Sequence, residues 1–326
     1  IAIQTMSPRV SVIIPNYRHA RFLPRRIESV LEQTFTDFEA IFLDDASPDD
    51  SVAVFQRYSD PRLRAIVNQA NSGSTFKQWA KGIAATTGEF IWLAESDDFA
   101  APNFLQRMVA LMDAHPNCVL AQCQSHAIDE NDKISGLMPA YGYYPEPRRK
   151  QGDFVANGRE QIEKYFLWCC PIQNASATFI RRGAYERSGG VDQSLKLTGD
   201  WKLYVQLLLE GDLGYIDEPM NYFRHHPTTV RTSSGRSGVD IAEGYGMLRY
   251  IESVTPVSPA DGRRRRWQLA RWRAAARPDL PADARQRIAD VARAVDPQPS
   301  RFALATLEQE LRRFVNTLLR RRRKQA

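Results

Sequence analysis

The chain has 326 residues, 43% hydrophobic and 25% charged, enough for one large domain or two ordinary ones. No apolar run approaches the roughly 18 to 20 residues that span a bilayer. No basic-then-apolar leader opens it, so a cytoplasmic location is expected, and the initial Ile1 suggests a processed chain or an excerpt.

The net charge of +6 is unevenly divided. From Asp261 onward, 18 Lys or Arg face 7 Asp or Glu, whereas the preceding 260 residues carry 26 against 31. That asymmetry predicts two parts, a main domain over 1–257 and a basic helical extension over 258–326. Cys118, Cys123, Cys169 and Cys170 lie in apolar segments without paired metal-site spacing, and read as buried thiols.

In chain order, "RVSVIIPNY" reads as a strand and "ARFLPRRIESVLEQT" as a helix, with Phe22, Leu23, Ile27, Val30 and Leu31 at helical spacing. "FEAIFLDDASPDD" is a strand breaking at Asp44, and "DDSVAVFQRYS" is a capped helix. "RLRAIVNQ", "STFKQWAKGIAATT" and "GEFIWLAESDD" give strand, helix and strand. This alternation predicts a doubly wound α/β fold whose mostly parallel sheet binds ligands at the carboxyl ends of its strands. "APNFLQRMVALMDAHP" follows as a helix and "CVLAQCQSHAID" as a strand. Residues 136–160 are expected to form a long loop. "SATFIRRGAYERSGGVD" gives a strand, a short helix and a Gly-Gly turn, and "TGDWKLYVQLLLEG" a helix. "GDLGYIDEPMNYFRHHPTTV" reads as a strand pair, and the Arg/Ala-rich remainder as helical.

Acidic residues gather at two strand ends. Asp97 and Asp98 are hard oxygen ligands suited to Mg2+ or Mn2+, or else caps for the next helix. Asp44 and Asp45 either build a turn or present an acceptor to a nucleobase N–H.

"VSVIIPNY", "LDDASPDD", "NSGSTFKQWAKGIAATTGEFIWLAESDD" and "TGDWKLYVQLLLEG…NYFRHH" resemble, in order, the motifs of family-2 inverting glycosyltransferases of GT-A fold, of the bacterial surface-polysaccharide type. The likeness runs from about Val10 to Val230, and no glycine-rich phosphate or dinucleotide motif competes with it. It implies that Pro15 and Tyr17 line the nucleotide site and that Asp45 meets a pyrimidine base. Asp98 would be the metal ligand, Asp97 would sit near the ribose or sugar, and Glu95 matches the motif's first acid. His226 would be a further metal or diphosphate contact, against the plainer reading of a surface-loop histidine. Asp200 would be the catalytic base of a hexosyl or deoxyhexosyl transfer, or only a helix cap.

Two departures stand out. Gly199 replaces the usual Glu before the base, and "FKQW" replaces an Arg-Asn pair, leaving Lys77 either as a cation for the diphosphate or as a solvated residue. Trp168, Tyr141, Tyr143 and Tyr144 could face a sugar or simply pack. The resemblance further implies a UDP- or dTDP-sugar donor and a glycan or lipid-linked acceptor. Arg263–Arg266 and Arg320–Arg323 carry no nucleic-acid recognition motif, and suit packing or the inner face of an anionic membrane. The competing readings are a glycosyltransferase fold without catalysis and a sugar nucleotidyltransferase. Asp45, Asp97, Asp98 and Asp200 together argue against the first; the absence of a glycine-rich loop after the first strand argues against the second.

Overall fold

The computed structural model describes residues 7–138, 152–167, 169–172, 174–226, 239–256, 258, 281–283, 285–286 and 289–290. The chain divides into two compact units, residues 1–162 with 170–227, and residues 163–169 with 228–326.

The first unit is built on a ten-stranded mixed sheet, eight of whose strands run in the order β3 (Leu63–Val67), β2 (Phe38–Asp44), β1 (Val10–Asn16), β4 (Phe90–Leu93), β9 (Thr178–Arg181), β6 (Cys118–Ile128), β10 (Asp212–Arg224), β5 (Phe99–Ala100), with β7 (Ile134–Leu137) paired to β6 and β8 (Phe154–Ala156) to β10. Its first half is parallel: β1 (Val10–Asn16) lies between β2 (Phe38–Asp44) and β4 (Phe90–Leu93), and β3 (Leu63–Val67) closes the edge. β1 and β4 are buried along their whole length, hence the unbroken apolar runs. Alternation along β1 then decides which helix lies on which face. Val10, Val12 and Ile14 join one core with Leu23, Ile27 and Val30 of α1 (Leu23–Leu31). The same core takes Phe104, Leu105, Met108 and Met112 of α4 (Phe104–Ala114). Ile13 points to the other face, against α3 (Thr75–Ala84). There Gly82 lies so close that a Cβ would stand 2.5 Å from Ile13 Cγ2. Helices on both faces make the sheet doubly wound, as expected.

The remaining elements are α2 (Ser51–Phe55), β5 (Phe99–Ala100), β6 (Cys118–Ile128), β7 (Ile134–Leu137), β8 (Phe154–Ala156), α5 (Gly158–Gln161), β9 (Thr178–Arg181), α6 (Arg182–Arg187), α7 (Gly199–Glu210) and β10 (Asp212–Arg224). β9 runs antiparallel between β4 and β6, and β10 runs parallel to β6. The Gly-Gly turn is present, with φ of +84° at Gly189 and +74° at Gly190.

Two local expectations are corrected. The predicted strand pair over 212–224 is one thirteen-residue strand. Pro219 sits between two register shifts against β6, so bulges absorb its missing N–H without ending the strand. The expected loop over 136–160 contains the end of β7, all of β8 and the start of α5. Three-residue strands carry no readable period.

In the second unit, α8 (Val239–Val254) is the long described helix. No helix among the described residues is long and apolar enough to cross a membrane. The expectations for Tyr141, Tyr143, Tyr144, Trp168 and the arginine clusters of the C-terminal segment lie outside the described residues.

Candidate active site

The carboxyl ends of β1, β2 and β4 lie side by side: Asn16 pairs with Asp44, and Ile13 with Leu93. Pro15 is buried in β1, whereas Tyr17 just beyond it is 42% exposed.

The two acids ending β2 have different tasks. Asp44 closes the turn, accepting from Asn16 Nδ2 at 2.7 Å and from the Ser47 N–H at 2.9 Å. Asp45 is buried, and its Oδ1 accepts from Asn68 Nδ2 (2.7 Å), the Ser72 N–H (2.9 Å) and Gln78 Nε2 (2.9 Å). Among the described residues its Oδ2 accepts only from Ser72 Oγ, at 2.8 Å. A carboxylate has about four lone-pair sites, two per oxygen, so Oδ2 keeps capacity for one more donor.

Beyond β4 the three acids are sorted by their surroundings. Glu95 Oε1 accepts from Trp79 Nε1 at 2.7 Å; desolvation, with the charge of Asp97, pushes this carboxyl up to about 8. Asp98 is 2% exposed, and its Oδ1 accepts from the Arg224 backbone N–H at 2.9 Å. Burial and the neighbouring Asp97 push it up to about 7, against the pull of Arg26. Desolvation would raise Asp97 too, but the hydrogen bond with His226 and the charges of His19 and His226 outweigh it and hold it below its usual value. Asp97 is therefore the acid kept ionised near neutrality.

Two buried arginines lie among these acids, and the sequence reading missed both. Arg26 is fully buried in α1 and donates through Nε to the Glu95 carbonyl at 2.8 Å. Desolvation lowers its guanidinium to about 10 in spite of Asp98, Asp97 and Glu95. Arg224, at the end of β10, donates through Nε to the Asp97 carbonyl at 2.6 Å and through Nη1 to the Asp129 carbonyl at 2.8 Å. Its Nη2 pairs with Asp132. A signal for Arg26 existed: it falls on the apolar stripe of Leu23, Ile27 and Val30, where a solvated arginine does not belong.

One group among the described residues has the makings of a metal site. Ligand atoms of His19, Asp97 and His226 lie within 4.8 Å of one another. His226 Nε2 is 3.0 Å from Asp97 Oδ2, the two imidazoles meet edge-to-face at 5.5 Å, and His19 Nδ1 is 2.9 Å from Ser96 Oγ. Two imidazoles and a carboxylate form a mixed nitrogen–oxygen donor set, softer than the all-oxygen set that Mg2+ prefers. Asp98, expected as the ligand, is not in this group. Its carboxyl is turned to Arg224 and Ser176. His19, in the loop after β1, carried no sequence signal.

Asp200 lies in the first turn of α7, where a carboxylate favours the helix dipole, and its Oδ1 accepts from the Trp201 N–H at 2.7 Å. Three residues of α3 reach the separate parts of the site. Gln78 bonds Asp45, Trp79 bonds Glu95, and the Phe76 ring lies where a Cβ on Gly199 would approach within 2.6 Å. Lys77, between them, is exposed.

Residues 11–180 match the model of Glycosyl transferase family 2. The succinoglycan biosynthesis protein ExoO of Rhizobium meliloti is 36% identical over 225 residues, which cover 67% of this chain and 61% of that protein. Among solved structures, S. aureus TarS 1-349 in complex with UDP-GlcNAc aligns with a TM-score of 0.57 at 16% identity, over 90% of this chain and 91% of TarS. The mannosyltransferase PcManGT from Pyrobaculum calidifontis, in complex with GDP-Man and Mn2+, aligns with a TM-score of 0.55 at 16% identity, over 94% and 88%. With more than half its length matched and the GT-A architecture of these enzymes, the chain belongs to glycosyl transferase family 2.

Proposed function

We propose that this protein is a metal-dependent inverting glycosyltransferase. It would move a hexose or deoxyhexose from a UDP- or dTDP-sugar to a hydroxyl of a saccharide or lipid-linked acceptor, in cell-surface polysaccharide synthesis. The observation that carries this reading is the meeting of Asp97 with His226 and His19 at the carboxyl end of a family-2 sheet. TarS and PcManGT, which share the fold, were solved with sugar nucleotides, the latter with Mn2+.

In this reading, Asp45 uses the open side of Oδ2 to accept the N3–H of a pyrimidine ring, beside Pro15 and Tyr17. Asp97, His226 and His19 would hold a divalent cation, Mn2+ in preference to Mg2+, which takes up charge on the departing diphosphate. Asp98 supports the loop through Arg224, a change from the role the motif implied. Lys77 is free to swing from the exposed face of α3 toward the diphosphate. Asp200 accepts the proton of the acceptor hydroxyl as its oxygen bonds to the anomeric carbon and the bond to the diphosphate breaks on the opposite face. One displacement inverts the anomeric centre.

The catalytic part lies within 1–257. The basic segment 258–326 would then bring the enzyme to an anionic membrane at the cytoplasmic face, where lipid-linked acceptors reside. The test is a calorimetric screen of UDP-, dTDP- and GDP-sugars with and without Mn2+, followed by product anomeric configuration from NMR. Binding of uridine or thymidine donors only with metal supports the reading. Metal-independent binding, or a retained anomeric configuration, contradicts it.

A further inference from the structure

Gly199 occupies the first position of α7, immediately before Asp200. Glycine is the poorest helix former after proline, so its presence there needs a reason. Backbone freedom is not that reason, because Gly199 is absent from the positive-φ positions. Space is: a Cβ at 199 would stand 2.6 Å from Phe76 Cδ2 and Cε2 and 2.8 Å from its Cγ. These are atoms of a buried ring, including the one nearest the backbone, not the end of a flexible chain.

Nor can the ring easily retreat. Trp79 meets it edge-to-face at 5.2 Å and is fixed through Nε1 to Glu95 at 2.7 Å. The first turn of α7 therefore rests on a wall made by Phe76 and backed by Trp79. Asp200 is tied to that same turn, since its Oδ1 accepts the Trp201 N–H. The Phe76 ring thus occupies the space a side chain at 199 would need.

We infer that Phe76 is a positioning residue for transfer, which seats the α7 N-terminus through close contact with Gly199 and so fixes where the Asp200 carboxylate meets the acceptor hydroxyl. The inference rests on the reading of Asp200 as the base. Misplacing a reacting group by about 1 Å can cost on the order of 10²-fold in rate, so the effect belongs in kcat, not in donor affinity.

The test uses the full chain, with UDP-hexoses and dTDP-deoxyhexoses as donors and a polyprenyl-diphosphate-linked sugar as acceptor. Nucleotide binding is read separately with UDP and Mn2+. Phe76→Ala is expected to lower kcat at least tenfold with UDP affinity within twofold of wild type. Gly199→Ala should show the same split, and Gly199→Ala with Phe76→Leu should recover most of the rate, because the smaller side chain admits the Cβ. The pair keeps the test decisive if Phe76→Ala does not fold. A wild-type kcat in Gly199→Ala, or no recovery in the double variant, overturns the inference. Asp200→Asn serves as the control: if it is inactive while Gly199→Ala is unimpaired, only the role of Phe76 falls. If Asp200→Asn turns over normally, the base assignment itself has failed.

Discussion

Asp97 and Asp98 are adjacent in the chain, yet one meets the His226 imidazole at 3.0 Å while the other accepts the Arg224 backbone N–H at 2.9 Å. The first arrangement suits a cation, the second holds a loop. Asp97→Asn should therefore reduce Mn2+-dependent UDP binding at least tenfold with little change in melting temperature. Asp98→Ala should leave a buried donor unpaired and cost about 1–3 kcal/mol of stability, seen as a lower urea midpoint. Loss of metal binding in Asp98→Asn, with Asp97→Asn unaffected, would reverse the assignment.

Arg26 is the buried countercharge of the acid cluster. Arg26→Met keeps much of its volume but leaves Glu95, Asp97 and Asp98 without that cation. The variant also loses the Nε hydrogen bond to the Glu95 carbonyl, so a lower urea midpoint than wild type is expected. A variant as stable as wild type would show that the acids are compensated elsewhere.

Glu95 sets a pH dependence in the metal-free protein. Its folded pKa is raised to about 8, so between the ordinary Glu range and pH 8 the folded state binds more protons than the unfolded state. Its contribution is fully present below the unfolded pKa and is lost as pH rises through about 8. His19, which burial lowers, works in the opposite sense, losing stability as the imidazole is forced to charge in acid. The difference between wild type and Glu95→Gln isolates the first effect: in EDTA, the wild-type urea midpoint should fall from pH 5.5 to 8.5 more steeply than the variant's. Parallel curves would mean that Glu95 titrates normally.

Asp200→Asn keeps the side-chain volume and the acceptor oxygen for the Trp201 N–H, but it removes the proton acceptor. Transfer should fall by at least 10²-fold while UDP and Mn2+ binding stay within twofold, measured by single-turnover kinetics and calorimetry.

What could be read from the sequence followed the strength of each local signal. The apolar runs of β1 and β4 and the helical spacing of α4 identify their elements, because burial on both faces or one stripe leaves a periodic mark. Asp45, Asp97 and His226 stand at strand ends, where chemistry gathers in such sheets. The different partners of Asp97 and Asp98 were not legible, since they depend on which way each carboxyl turns after the strand ends. Nor was His19, which is brought to Asp97 from 78 residues earlier in the chain. The strand pair expected over residues 212–224 proved to be one strand, because the sheet absorbs Pro219 in bulges. The glycine at 199 looked like a lost carboxylate until the Phe76 ring showed what fills its place.

Electron spin echo modulation of bound Mn2+ tests the proposed metal site of Asp97, His226 and His19 most directly. With UDP present, the full chain should show coupling from two imidazole nitrogens, one lost in His226→Ala and the other in His19→Ala. A Mn2+ signal without imidazole coupling, or one unchanged by both substitutions, would contradict the assignment.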